Sequence, residues 1–282
     1  MTEPAIGLAL GGGSARGLAH VPMLEAFDEL GLKPKVIAGC SIGALVGAGY
    51  AGGMSAREIR ERAELLLSNR IGALRYAFRE RQVNPFDLLA MKGLASMQIK
   101  GETLASLALP HTLASNIEDL AIPFKVIATD FDTMEEQVIE SGPLVKAVAA
   151  SIAIPGVILG PQYGGHNFVD GGVTNPVPFD RVRQGVDIVV AIDVTGRPRE
   201  APGAHRSNME LAVGSMLIMF HQIAALRRTI NPPDIYIRPT VDSFSGTDFF
   251  RFKEVIEQAS SAKDELKRAL ERRIAELDQR RD

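Results

Sequence analysis

The sequence predicts a mostly parallel α/β sheet, and three observations carry that expectation. Short apolar runs of strand length alternate with longer helix-compatible segments, the pattern of strand–helix–strand units. The run "DIVVAIDV" (187–194) has an uninterrupted apolar centre, as a strand buried on both faces must have. Two glycine-rich turns, at 11–13 and 39–43, each join a predicted strand to a predicted helix.

Taken in chain order, "AIGLAL" (5–10) reads as a short buried strand ending at Gly11-Gly12-Gly13. A helix over about 17–30 follows, with Leu18, Val21, Leu24 and Phe27 on one face and Gly31 closing it. A strand at 35–38, a helix over about 42–52 and a charged helix over 55–68 come next. Residues 70–122 mix their patterns and carry several Gly and Pro breaks, which predicts helices and loops. "FKVIATD" (124–130) and "EQVIE" (136–140) read as strands joined by a turn around Asp132 and Thr133. "PLVKAVAAS" (143–151) is a helix stopped by Pro155, and "NFVD" (167–170) is a short strand ending at Gly171-Gly172.

The stretch "LAVGSMLIMFHQIAAL" (211–226) is interrupted by His221 and Gln222. It falls short of the roughly 18 to 20 apolar residues that a membrane span needs, so a buried helix is expected. Lining a substrate channel or forming a dimer face are the other roles open to it. "DIYIRP" (234–239) reads as the last strand. Residues 253–280 read as a long charged helix, whose Val255, Ile256, Ala259, Ala262, Leu266, Leu270, Ile274 and Leu277 form one stripe to pack on the body. No repeat or linker divides the chain. A core over 5–195 and a C-terminal part over 196–282 of the same domain are expected.

The chain has 282 residues, 46% hydrophobic and 23% charged, enough to bury a large core without disulfides. Cys40 is the only cysteine, which excludes an intrachain disulfide and a clustered-cysteine zinc site. A net charge of −3 gives no electrostatic footprint for nucleic acid. The N-terminus lacks the basic start and apolar run of a signal peptide, so a cytoplasmic protein is expected. Nothing in the sequence calls for a metal or a cofactor.

Chemistry concentrates in "KVIAGCSIGALVGAGY" (35–50), where Gly39-x-Ser41-x-Gly43 falls between strand and helix. This is the nucleophile-elbow pattern, in which a serine takes a strained backbone conformation and flanking glycines let neighbouring chain pass. The new helix then aims its free N–H groups at the serine, where negative charge would develop. The same residues would also serve as a glycine-rich turn with an N-capping serine. "LGGGSARG" (10–17) has no lysine for a P-loop, and its glycines fit neither register of a dinucleotide fingerprint. Consecutive glycines ahead of a helix do supply backbone N–H groups that can hold an oxyanion, with Arg16 adding positive charge.

A serine needs a base. A Ser-acid-His order would require His205, in the polar loop "REAPGAHRSN", or His221, in the apolar helix. Asp170 in "NFVDGGVTNPVP" is the stronger candidate, an aspartate at a strand end followed by Gly171-Gly172. Its reference pKa near 3.9 would need burial to raise it.

Together these three elements resemble the patatin-like phospholipase family, with its glycine-rich loop, GxSxG serine and DGG or DGA aspartate. "RGLAHVPMLEAFDELGLKP", "IPFKVIATDFDT" and "AVAASIAIPGVI" are also similar to its bacterial members, so the resemblance covers about residues 5–195. It implies a three-layer α/β/α sandwich and hydrolysis of acyl esters, usually of lipids, by a Ser41–Asp170 dyad without histidine. By position, Gly12 and Gly13 would supply oxyanion donors with Gly11 and Arg16 close by, and Gly17, Gly39, Gly43, Gly171 and Gly172 would support the motifs. Ser14 stands where the family's stricter form has glycine. The implied partners are a lipid or other acyl-ester substrate, with peripheral membrane contact and self-association both open. A binding protein on the same fold with little hydrolysis, and a conventional Ser-Asp-His esterase, are the competing readings.

Overall fold

The computed structural model describes residues 4–68, 89–91, 97–196 and 208–281. Its principal sheet has eight strands. They are β1 (Ile6–Leu10), β2 (Val36–Cys40), β5 (Phe124–Asp130), β6 (Glu135–Ile139), β8 (Gln162–Tyr163), β9 (His166–Asp170), β10 (Ile188–Ile192) and β11 (Ile235–Ile237). The order is β11-β10-β1-β2-β5-β9-β8, with β6 also paired to β5. From β11 to β5 every pairing is parallel, whereas β6 and β9 join β5 antiparallel. A smaller sheet holds β3 (Leu89–Met91), β4 (Met97–Lys100) and β7 (Ile158–Leu159). The helices are α1 (His20–Leu30), α2 (Ile42–Ala51), α3 (Ala56–Leu67), α4 (Gly101–Ala108), α5 (Leu144–Ser151), α6 (Asn208–Ile230), α7 (Phe252–Gln258) and α8 (Ser260–Arg281).

Alternation along the central strands explains the layers. Ile6, Leu8 and Leu10 of β1, Ile37 of β2 and Ile188, Val190 and Ile192 of β10 face the larger core, which the buried faces of α1, α2, α5, α7 and α8 complete. Ala9, Ala38, Val189 and Ala191 face the other way, against Val177, Phe179, Val182 and Ala224. Small residues on that second face let the covering chain lie close. A Cβ on Gly7 would stand 2.4 Å from the Val182 carbonyl oxygen.

Several expectations meet corrections. The helix expected over 17–30 begins as a 3-10 turn, Ser14–Ala19, before α1, and Gly31 ends it in the left-handed region at φ 66°. Part of 70–122 is strand rather than helix or loop, because β4 pairs with β3 and also with β7 from a distant segment. That pairing leaves no local sequence signal. The helix expected over 143–151 is present as Leu144–Ser151 and ends where expected, ahead of Pro155. The long C-terminal helix breaks at Ala259 into α7 and α8, and its stripe is buried from Val255 to Leu270. The largest correction concerns 211–226, where α6 buries only Leu217, Phe220 and Ala224. Leu211, Ile218, Met219 and Leu226 are exposed, so this is no core helix. Among the described residues, no helix is long and apolar enough to cross a membrane.

Candidate active site

The sheet brings its two chemical residues together along one edge of β5. β2 pairs with β5 as far as Cys40↔Ile127, and β9 takes over from Asp170↔Ala128. β6 pairs with β5 across both stretches and so fills the opposite edge. Ser41 therefore leaves the sheet at the level where Asp170 ends β9. Its Oγ donates to Asp170 Oδ2 at 2.7 Å. Both residues are buried, Ser41 at 5% and Asp170 at 1% exposure.

Ser41 takes φ 54°, ψ −123°, a conformation that an L-residue holds only when its surroundings enforce it. Gly43 is part of that enforcement, since a Cβ there would stand 2.1 Å from the Leu10 carbonyl oxygen. A Cβ on Gly39 would stand 2.5 Å from the Gly43 carbonyl oxygen, and one on Gly17 2.1 Å from Ile42 Cγ2. Cys40 packs in the interior beside the serine, and burial raises its thiol pKa well above the usual value. It is a packing residue.

Asp170 is held by its own turn. Gly172 N–H donates to Oδ1 at 2.8 Å, and Thr129 Oγ1 donates to the Asp170 carbonyl oxygen. Burial pushes the carboxyl up to about 6, against the hydrogen bonds from Ser41 and Gly172 that favour its charged form. Gly171 meets the Ile127 carbonyl oxygen, and Gly172 meets the Phe220 ring of α6, where Cβ atoms would come within 2.1 Å and 2.2 Å.

The glycine loop reaches the same place. A Cβ on Gly12 would lie 3.2 Å from Ser41 Cβ. Its amides divide otherwise than expected, however. Gly11 N–H donates to Ile192 O at 3.0 Å and Gly12 N–H to Pro176 O at 2.9 Å, so these two tie the loop down. Among the described residues, the N–H groups of Gly13 and Ser14 have no such acceptor. Ser14 sits at φ 55°, and its hydroxyl donates to Gly246 O at 2.6 Å, fixing a conformation that glycine would take freely.

Arg16, expected beside the oxyanion, is buried and donates to the carbonyls of Phe244 (Nε, 2.9 Å) and Thr195 (Nη1, 3.1 Å). It fastens the glycine loop to the C-terminal segment. His20 Nε2 lies 2.8 Å from Gly11 O, and burial lowers this imidazole to about 4, so it is neutral. His166 Nδ1 pairs with Asp130 at 2.9 Å. His205 lies outside the described residues, and His221 lies on α6. Sequence reasoning missed Ser151, whose Oγ accepts the Ser41 N–H at 2.8 Å and donates to the Ile127 carbonyl.

Comparison with known proteins adds to this geometry. The family model described as patatin-like phospholipase matches residues 8–183, more than half of the chain. The chain is 28% identical over 286 residues to patatin-like phospholipase domain-containing protein 7 of Rattus norvegicus, covering 91% of this chain and 20% of that protein. It is 33% identical over 196 residues to an uncharacterised NTE family protein of Mycobacterium tuberculosis, covering 69% of this chain and 50% of that one. The chain thus spans a fifth to a half of the curated relatives it matches. Among solved structures, VipD from Legionella pneumophila is a remote likeness, with TM-score 0.48 and 13% identity over 95% of this chain and 67% of that one.

Proposed function

Because this chain belongs to the patatin-like phospholipase family, we propose that it hydrolyses carboxylic esters of lipids through an acyl-enzyme on Ser41, with Asp170 as base. One observation carries the reading, the 2.7 Å bond from Ser41 Oγ to a buried carboxylate oxygen. As Oγ attacks the ester carbonyl carbon, its proton passes to Oδ2. Gly172 N–H keeps the other oxygen, Oδ1, in place. The carbonyl oxygen becomes an oxyanion, for which the Gly13 and Ser14 N–H groups and the first turn of α2 offer donors. Collapse of the tetrahedral species expels the alcohol, which takes the proton from Asp170. Water then enters, gives a proton to Asp170 and attacks the acyl carbon, and Ser41 leaves with that proton.

A fluorophosphonate probe tests this reading. Wild-type protein should be labelled at Ser41, while Ser41→Ala and Asp170→Asn should not be labelled. A folded wild type that resists the probe would favour a binding protein over an enzyme. Loss of labelling in His205→Ala would favour the Ser-Asp-His alternative.

Lipid substrates also suit the outer side of α6. Its residues 211–226 include no charge, four large apolar side chains of that stretch are exposed, and its inner Phe220 touches Gly172 of the catalytic turn. We place peripheral contact with lipid on this face. Co-sedimentation with phosphatidylcholine vesicles should fall for Ile218→Glu/Met219→Glu. Self-association that disappears with the same pair would mark it as a dimer face.

A further inference from the structure

The parallel ladder between β2 and β5 has a regular rung, in which Ile37 N–H donates to Pro123 O at 3.0 Å while Ile37 pairs with Phe124. The same register continued to the end of β2 would join Ser41 N–H to Ile127 O. That direct rung is replaced. The Ser151 hydroxyl stands in it, accepting from Ser41 N–H at 2.8 Å and donating to Ile127 O. Ser151 is the last residue of α5 and is wholly buried. Two residues on, the Ala153 carbonyl accepts the backbone N–H of Asp170 at 2.9 Å.

We propose that the segment 151–153 is a bracket that sets the spacing of Ser41 and Asp170, with the Ser151 hydroxyl as its positioning group. The inserted oxygen holds β2 away from β5 by one atom at the elbow, and this wedge keeps Ser41 in its left-handed conformation. The carbonyl of Ala153 fixes the base from the same short stretch of chain. Nucleophile and base, far apart in sequence, thus take their relative position from one element. Without the hydroxyl, Ser41 N–H and Ile127 O would face each other across a dry gap. With a whole oxygen atom removed from between them they are too far apart to bond, and both are left unpaired, which buried groups rarely are, so the elbow opens to water and Ser41 is displaced.

The inference rests on the dyad reading, and its test separates the two. Ser151→Ala should label with fluorophosphonate at least tenfold more slowly than wild type and lower kcat on a p-nitrophenyl ester by a similar factor. KM should stay within threefold. Ser151→Thr, which keeps the hydroxyl, should recover most of the rate. The pH midpoint of labelling should rise in Ser151→Ala, because a displaced Ser41 gives up the hydrogen bond that favours ionised Asp170. A change in packing alone would leave that midpoint where it was. Equal rates and equal midpoints in wild type and Ser151→Ala would overturn the bracket. If the wild type itself does not label, the dyad reading fails first. The bracket is then judged by hydrogen exchange at the Ser41 amide, which should lose its protection in Ser151→Ala and keep it in Ser151→Thr. Unchanged protection in the alanine variant would overturn the bracket as well.

Discussion

Two carboxylates, the buried Asp170 and the half-buried Glu136, lie on either side of the turn that follows β9, and their surroundings are opposite. Asp170 receives a serine hydroxyl and one backbone N–H and, among the described residues, no hydrogen bond or ion pair from a cation. Glu136 receives both edge nitrogens of Arg181, at 2.9 and 2.8 Å, together with Arg227 at 3.3 Å and Asn175 Nδ2 at 2.9 Å. Burial raises the first to about 6, while the Arg181 and Asn175 hydrogen bonds outweigh burial and hold the second below its usual value. Asn175 belongs to the same turn as Asp170, so the two environments share a few residues of chain. A carboxylate surrounded by arginines is a clamp. One left without them, facing a hydroxyl, is equipped to move a proton.

The hardest test of this contrast is to remove each charge in turn. Asp170→Asn keeps both hydrogen-bonding positions and removes the base, so the esterase rate should fall by about 10³ or more while the fold persists. Circular dichroism beside turnover of a p-nitrophenyl ester reads both. Glu136→Gln should do the reverse. Two partly exposed arginines lose one of their acidic partners and keep Asp180, each at 3.3 Å, which should cost about 2 kcal/mol in urea unfolding, with the rate per folded molecule within a few-fold of wild type. If Glu136→Gln were the variant that lost activity, the division between clamp and base would be broken.

The pH dependence sharpens the same contrast at smaller amplitude. Activity should rise with pH through about 6 as Asp170 ionises. Its raised pKa favours the folded state most below the unfolded carboxyl value, and that contribution is lost as pH rises through about 6. Asp170→Asn should therefore melt higher than wild type at pH 8 and lose the advantage towards pH 4. Glu136, with its lowered pKa, has the opposite sign. It stabilises above the unfolded value, and the contribution goes as pH falls through the folded one. The deficit of Glu136→Gln should thus shrink in acid. Smallest of all is Cys40→Ala. Loss of a buried thiol should lower stability by about 1 kcal/mol and leave the rate within twofold.

The parts of this arrangement differ in how readable they are from sequence. The central strands are legible because burial on both faces demands unbroken apolar runs, as in β1 and β10. Ser41, Asp170 and the glycine loop announce themselves because close backbone approach admits glycine alone. Ser151 carries no such mark, since a hydroxyl inserted between strands obeys no spacing rule and its partners lie in other segments. Glu136, Arg181 and Arg227 are likewise ordinary surface charges until the fold gathers them. Arg16 misleads for a related reason, as its position beside a glycine loop suggests an anion while its length lets it reach Phe244. The apolar composition of α6 says only that it avoids charge, and whether core or water meets it depends on the neighbouring layer.

The attachment of the glycine loop to Phe244 and Gly246 has a consequence in time. A ribosome makes Ser41 and Asp170 well before it makes the carbonyls of Phe244 and Gly246, which hold Arg16 and Ser14. Until that later segment folds back, the amides proposed for an oxyanion lack these ties. On the dyad reading, the nascent chain would carry its cutting pair unarmed, and would gain the capacity to open esters only once that later segment has been made and has folded back.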